Sequence, residues 1–503
     1  MATRSFNFYK EEAIHALQNN IARLAQYKDN PTQLTTRLPH LFFGLDYCQQ
    51  SPEFIRVRLH LINTLRHIPF RYSFGDEWVH VIRTALTELP TEYTTPHHLA
   101  LLNLLIAKHA YDRVDKVTAI ERGNLAFDFA QRAEDGDLVA EAAQVLSRTY
   151  IYHYGEHQQA LQTIKQAQTI SRSLTASPAQ TIRLFLSEGD ALRRLGYLKQ
   201  ARELLELYSE QGLSLSLSDH EHAVILLNRG LIRQADGDYS QAADDLQRAA
   251  ITYEQIQEFS SASGAYGDLG LCLWGWGELD LAEVVYLRAI ELAVQSGDVQ
   301  REMKLHGNLG LVYISQGRLD EAETRINTHL RQAEILTSTR EANRARGNLA
   351  QLWLYRGDPP ERSLGYLEDA LKNHNTPNEG RGNDLVLRAI CRYGMGKLDL
   401  AQADIIEAFE ICSHKEHSLL PIITHRVAAV CATNTNNAVY HLQEALHLAE
   451  TYHRRLDEAG CLLKLAELCH NEEYRNRAKT LLHQMNAEAW LNYGEFPLLP
   501  LMI

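Results

Sequence analysis

Four side chains stand at a fixed spacing that suits one kind of chemistry. Asn228, Asp268, Asn308 and Asn348 follow one another at intervals of 40 residues. A carboxamide both donates and accepts hydrogen bonds, so a row of asparagines can pair with an extended peptide backbone whatever its side chains. An ionised Asp268 only accepts, and it fits such a row less well. The same residues can instead bond between neighbouring helices. Near the row are residues suited to side-chain recognition. Arg193, Arg194 and Arg344 can fork onto carboxylates, and Trp274 and Tyr355 can act as aromatic anchors.

Other chemistries lack their residues. Neither a G-x-S-x-G nor an H-E-x-x-H motif occurs, and Gly396-Lys397 is followed by Leu398 without the upstream spacing of a phosphate-binding loop. His153/His157, His220/His222 and His414/His417 stand close in sequence, and none brings a third or fourth ligand. Cys48, Cys272, Cys391, Cys412, Cys431, Cys461 and Cys469 form no C-x-x-C pair and read as free thiols. The expectation is a chain with no catalytic residues, no metal and no cofactor.

The row is positioned by a repeat. Gly267-Asp268-Leu269-Gly270, Gly307-Asn308-Leu309-Gly310 and Gly347-Asn348-Leu349-Ala350 are near copies, and a fixed period in this range marks a solenoid. A small residue recurs at Ala119, Ala160, Ala201, Ala242, Ala282, Ala322, Ser363, Ala401 and Ala438. Five residues before most of these stands a turn glycine, as at Gly155, Gly196, Gly237, Gly277 and Gly317. Glycine supplies the positive φ that ends one helix and lets the next begin. Each unit therefore reads as helix, turn, helix, connector. In the unit around Met303, Leu305, Leu309, Val312 and Tyr313 form the apolar stripe of the first helix. Leu319, Ala322, Ile326, Leu330 and Ala333 form that of the second.

The ends depart from this register. Prolines at 31, 39, 52, 69, 90 and 96 divide residues 1–118 into short helices, with Lys10–Tyr27, Ser51–Arg66 and Asp76–Leu89 as candidates. We expect an N-terminal helical cap over 1–118, a repeat array over 119–460, and a capping hairpin with an apolar tail over 461–503. The tail EFPLLPLMI reads either as a strap over the last helix pair or as a docking segment for another chain.

Composition narrows the partners. The net charge of −13, from 50 basic and 63 acidic side chains, disfavours a phosphate backbone and hence nucleic acid as main partner. No apolar run is long enough to span a bilayer, and the N-terminus lacks a secretory pattern. These features suggest the cytosol.

Leu269-Gly270, Gly277, Ala282, Tyr286 and Ala289, with Leu309-Gly310, Tyr313, Gly317 and Ala322, resemble the tetratricopeptide repeat. The pitch exceeds that family's usual 34 residues. It is similar to the longer-helix variety of MalT-like regulator arrays, kinesin-light-chain repeats and Rap-type peptide-receptor repeats. The resemblance covers roughly residues 100–485. It implies an all-α, right-handed α-solenoid of antiparallel helix pairs whose first helices line a concave face. Arg148, Glu188 and Arg229 depart from the pattern, standing where glycine or leucine is usual. The nucleotide-binding and DNA-reading domains that accompany MalT-like arrays are not found in this sequence. The expected function is a non-enzymatic scaffold or sensor that binds a peptide or protein segment in its groove. The alternative is a regulatory subunit controlling a separately encoded protease, nuclease or transcription factor.

Overall fold

The computed structural model describes residues 12, 14–23, 52–64, 75–213, 217–372, 379–412 and 420–492. Cys48, His414, His417 and the tail 495–503 lie outside the described residues. Every regular element among the described residues is helical. In chain order the helices used below are α1 (Pro96–Asp112), α2 (Lys116–Arg132), α3 (Gly136–Thr149), α4 (His157–Ser173), α5 (Pro178–Arg194), α6 (Asp219–Ala235) and α7 (Tyr239–Gln255). There follow α8 (Phe259–Trp276), α9 (Leu279–Ser296), α10 (Val299–Ser315), α11 (Leu319–Ile335), α12 (Thr339–Arg356), α13 (Pro360–Lys372), α14 (Glu379–Gly394) and α15 (Leu398–Cys412). The last are α16 (Leu420–Val430), α17 (Thr435–Thr451), α18 (Arg455–Cys469) and α19 (Glu472–Gln484), then a 3₁₀ turn at Glu488–Asn492. The chain divides into two compact units, which are described separately.

The first unit comprises residues 1–195, 199–228 and 253–258. One contiguous apolar core runs through it from Leu17 and Ile21, by way of Leu61, Trp78 and Ile82, to Ile164 and Leu184. Two of its off-pattern residues are matched by neighbours. Glu188 accepts a 2.7 Å hydrogen bond from Gln168, and the Arg148 guanidinium lies 4.6 Å above the Tyr111 ring.

The second unit comprises residues 196–198, 229–252 and 259–503. Its helices are set by local chemistry. Asp298 caps α10 by accepting from the Arg301 amide at 3.1 Å, and Gly297, at φ +69°, closes the helix before it. The stripe Leu305, Leu309, Val312 and Tyr313 is buried, as are Leu319, Ala322, Ile326 and Ala333, with Leu330 partly so. Burying each large aliphatic side chain contributes about 1.5–3 kcal/mol.

Small residues let the paired helices close up. A β-carbon added at Gly310 would lie 2.5 Å from Cγ1 of Ile326, and one at Gly270 would lie 2.8 Å from the Tyr286 ring. Arg229 stands one residue before the corresponding Gly230. It forks onto Asp245, which Arg233 also reaches at 2.6 Å. The same arrangement recurs between Arg388, Arg392 and Asp404. An arginine replaces the usual leucine where an aspartate on the second helix receives it.

Candidate functional site

In the second unit the first helices of successive pairs, α8, α10 and α12, lie side by side. Arg301 lies over Gly264, Leu305 lies against Gly267, and Arg344 donates to the Asn308 side-chain oxygen. Along these helices one strip of side chains reaches solvent. It includes Asp268 and Leu271 on α8, Lys304 and Asn308 on α10, and Arg340 and Arg344 on α12. Residues 309–315 of α10 and 347–355 of α12, by contrast, are all buried.

The row of polar residues divides across the two units. Asn228 closes a segment of the first unit, where its Nδ2 donates to the Val224 carbonyl at 2.8 Å. Asp268 and Asn308 are half-buried on the strip. Asn348 is buried, and its Nδ2 finds no acceptor among the described residues. A buried donor without a partner costs about 1–3 kcal/mol.

A charged group underlies the strip. Glu341 accepts from His329 Nε2 at 3.3 Å and lies 3.5 Å from Arg344 and 3.9 Å from Lys304. Burial pushes the Glu341 carboxyl up, but His329, Arg344 and Lys304 outweigh it and hold the carboxyl at about 2. Burial lowers the Lys304 ammonium below its usual value; Glu341 opposes this, and Arg340, Arg344 and Arg301 add to it. The buried Glu341 carboxylate thus lies among Lys304, Arg344 and His329, on a chain of net charge −13.

The other expected recognition residues have partners inside the chain. Arg193 and Arg194 both reach Asp190, at 2.6 and 3.2 Å. The Arg194 guanidinium also lies 4.6 Å above the Tyr152 ring, whose hydroxyl donates to Asp190 at 3.2 Å. Trp274 is buried and donates to Ser315 Oγ at 2.9 Å. Tyr355 is buried against Trp490, with ring centroids 5.5 Å apart at 74°. The structure thus joins Asp268, Asn308 and Arg344 on one strip and joins Trp274 and Tyr355 elsewhere in the same unit.

Sequence reasoning missed Lys304 and Leu271. Lys304 was legible: it stands one 40-residue period before Arg344. Among the described residues no group of three or more His, Cys, Asp or Glu could hold a metal ion. No helix among them is long and apolar enough to cross a membrane.

Comparison with known proteins places this geometry. The family model for the tetratricopeptide repeat matches residues 263–293. No curated protein matches the sequence. Among solved structures, a Rap protein complexed with competence and sporulation factor aligns with 71% of this chain and 99% of that one, at 13% identity and a TM-score of 0.53. NprR in complex with its cognate peptide NprX aligns over 66% and 98%, at 15% identity and a TM-score of 0.47. A signal transduction ATPase with a tetratricopeptide repeat sensor, from Pyrococcus horikoshii, aligns over 72% and 57%, at 12% identity and a TM-score of 0.45. Residues 263–293 carry a tetratricopeptide repeat, and the chain has the helical-repeat fold of the Rap protein.

Proposed function

We propose that this protein is a non-enzymatic scaffold or sensor, and that the strip on α8, α10 and α12 binds a peptide or protein segment carrying carboxylates. The observation that carries the reading is the cluster of Lys304, Arg340 and Arg344 beside Asn308. These are solvent-reaching cations on an acidic chain, and the buried Glu341 carboxylate lies beside Lys304 and Arg344. Guanidinium groups fork onto carboxylates, and the Asn308 carboxamide can pair with a peptide backbone. The Rap protein of the same fold is complexed with competence and sporulation factor, which accords with a peptide ligand.

The test is a selection of displayed random peptides on the purified chain. Acidic sequences should be enriched. Their affinity should fall about tenfold or more, roughly 1.4 kcal/mol, in Asn308→Ala and in Lys304→Ala. Enrichment without acidic bias, or affinity unchanged in both variants, would contradict the reading.

A further inference from the structure

The C-terminal end of the described chain occupies a notch in its own second unit. Gly237, Gly277 and Gly317 end α6, α8 and α10 at positive φ, +84°, +92° and +76°. Each of these turns has a distant segment against it. Tyr452 and His453 lie at Gly237. Met485 Sδ would lie 2.7 Å from a β-carbon at Gly277, and Ala489 Cβ would lie 2.6 Å from one at Gly317. At Gly277 and Gly317, therefore, the neighbour fits only because the turn residue has no side chain. Two polar links lie beside these contacts: Asn486 Nδ2 donates to Asp280 in the first turn of α9 at 2.5 Å, and Arg455 at the start of α18 pairs with Glu278 at 3.1 Å.

Trp490 is the end of this path. It is 3% exposed. Its Nε1 donates to the backbone carbonyl of Ser315 at 2.9 Å. Ser315 is the last residue of α10, where helix carbonyls lack an intrahelical donor. The indole also meets the Tyr355 ring at a near-perpendicular angle. Trp274 meets the same residue by donating to the Ser315 hydroxyl at 2.9 Å. Ends of three successive first helices thus build one receptor: an orphan carbonyl for an indole N–H and an aromatic wall for its ring.

We propose that this notch is a docking site for a tryptophan carried on a short helical turn, that residues 485–490 are its resident occupant, and that a partner segment of the same chemistry displaces them. The occupant is tethered to the same chain, so its effective concentration is in the millimolar range, and a free segment must outcompete that. The proposal does not depend on the strip reading, since it concerns different residues and a different ligand chemistry.

The probe is a labelled synthetic peptide of residues 481–492, titrated against the full chain. Trp490→Ala, which empties the notch, should bind it at least tenfold more tightly than the wild-type chain does. The peptide with alanine in place of its tryptophan should bind neither chain, and adding Tyr355→Ala to the emptied chain should weaken binding about tenfold. Circular dichroism checks the fold of each variant. If Trp490→Ala does not fold, Met485→Ala with Asn486→Ala loosens the occupant without emptying the notch, and should likewise bind the peptide at least tenfold more tightly than wild type. Equal binding, or none, by the wild-type chain and the folded variant would overturn the proposal and leave the segment as a fixed closure.

Discussion

Glu341 is the residue at which charge and stability meet. Its carboxyl is lowered from 4.5 to about 2, so the stability it contributes is complete above about pH 4.5 and is lost as pH falls toward 2. A lowering of that size is worth on the order of 3 kcal/mol. His329, fully buried beside it, is also lowered, chiefly by burial, and so costs stability as pH falls below 6.5. The two effects have the same sign. Urea unfolding should show wild-type stability declining in acid. Glu341→Gln should be less stable at pH 7 by on the order of 3 kcal/mol, with a shallower decline between pH 4.5 and 2. A variant as stable as wild type would remove Glu341 from the account. At this scale the sequence was partly legible. The 40-residue spacing of Asp268 and Asn308 matches their shared place on the strip, because period translates into position on stacked helices, whereas Asn348, one period on, is buried. Spacing carries no information on which polar side chains find partners inside the chain. Arg193 and Arg194 turn to Asp190, three and four residues before them, and no repeat register signals that choice.

At the scale of elements, glycine separates packing from turn formation. Gly310 sits inside α10 with Ile326 against it, so Gly310→Ala must shift a fully buried side chain. Overpacking of this kind costs about 1–3 kcal/mol. Gly365 sits inside α13 with nothing within 4 Å of an added β-carbon. Gly365→Ala should therefore stabilise by about 0.5–1 kcal/mol through helix propensity. Thermal or urea melts of the two variants should move in opposite directions. Movement in the same direction would contradict the close helix pairing. The repeat was readable here because helix pairing imposes small residues and turn glycines at fixed intervals. The leucine-to-arginine departures were not readable as compatible with that pairing. Their solution, Asp245 for Arg229 and Asp404 for Arg388, lies sixteen residues on in the partner helix.

At the scale of the molecule, the chain is a series of helix pairs whose second unit offers two distinct surfaces. One is a cation-bearing strip open to solvent, and the other is an indole notch already filled. The repeat period could not reveal the second, because Trp490 and Ser315 are 175 residues apart and follow no common register. Contacts of such separation depend on how successive repeats curve, which the pattern of a single repeat does not encode. The most direct measurement for the strip is photo-cross-linking of a selected acidic peptide, followed by mapping of the adducts. The account predicts adducts within α8, α10 and α12, around Asp268, Lys304, Asn308 and Arg344. Adducts confined to the second helices of the pairs, α9, α11 and α13, would contradict it.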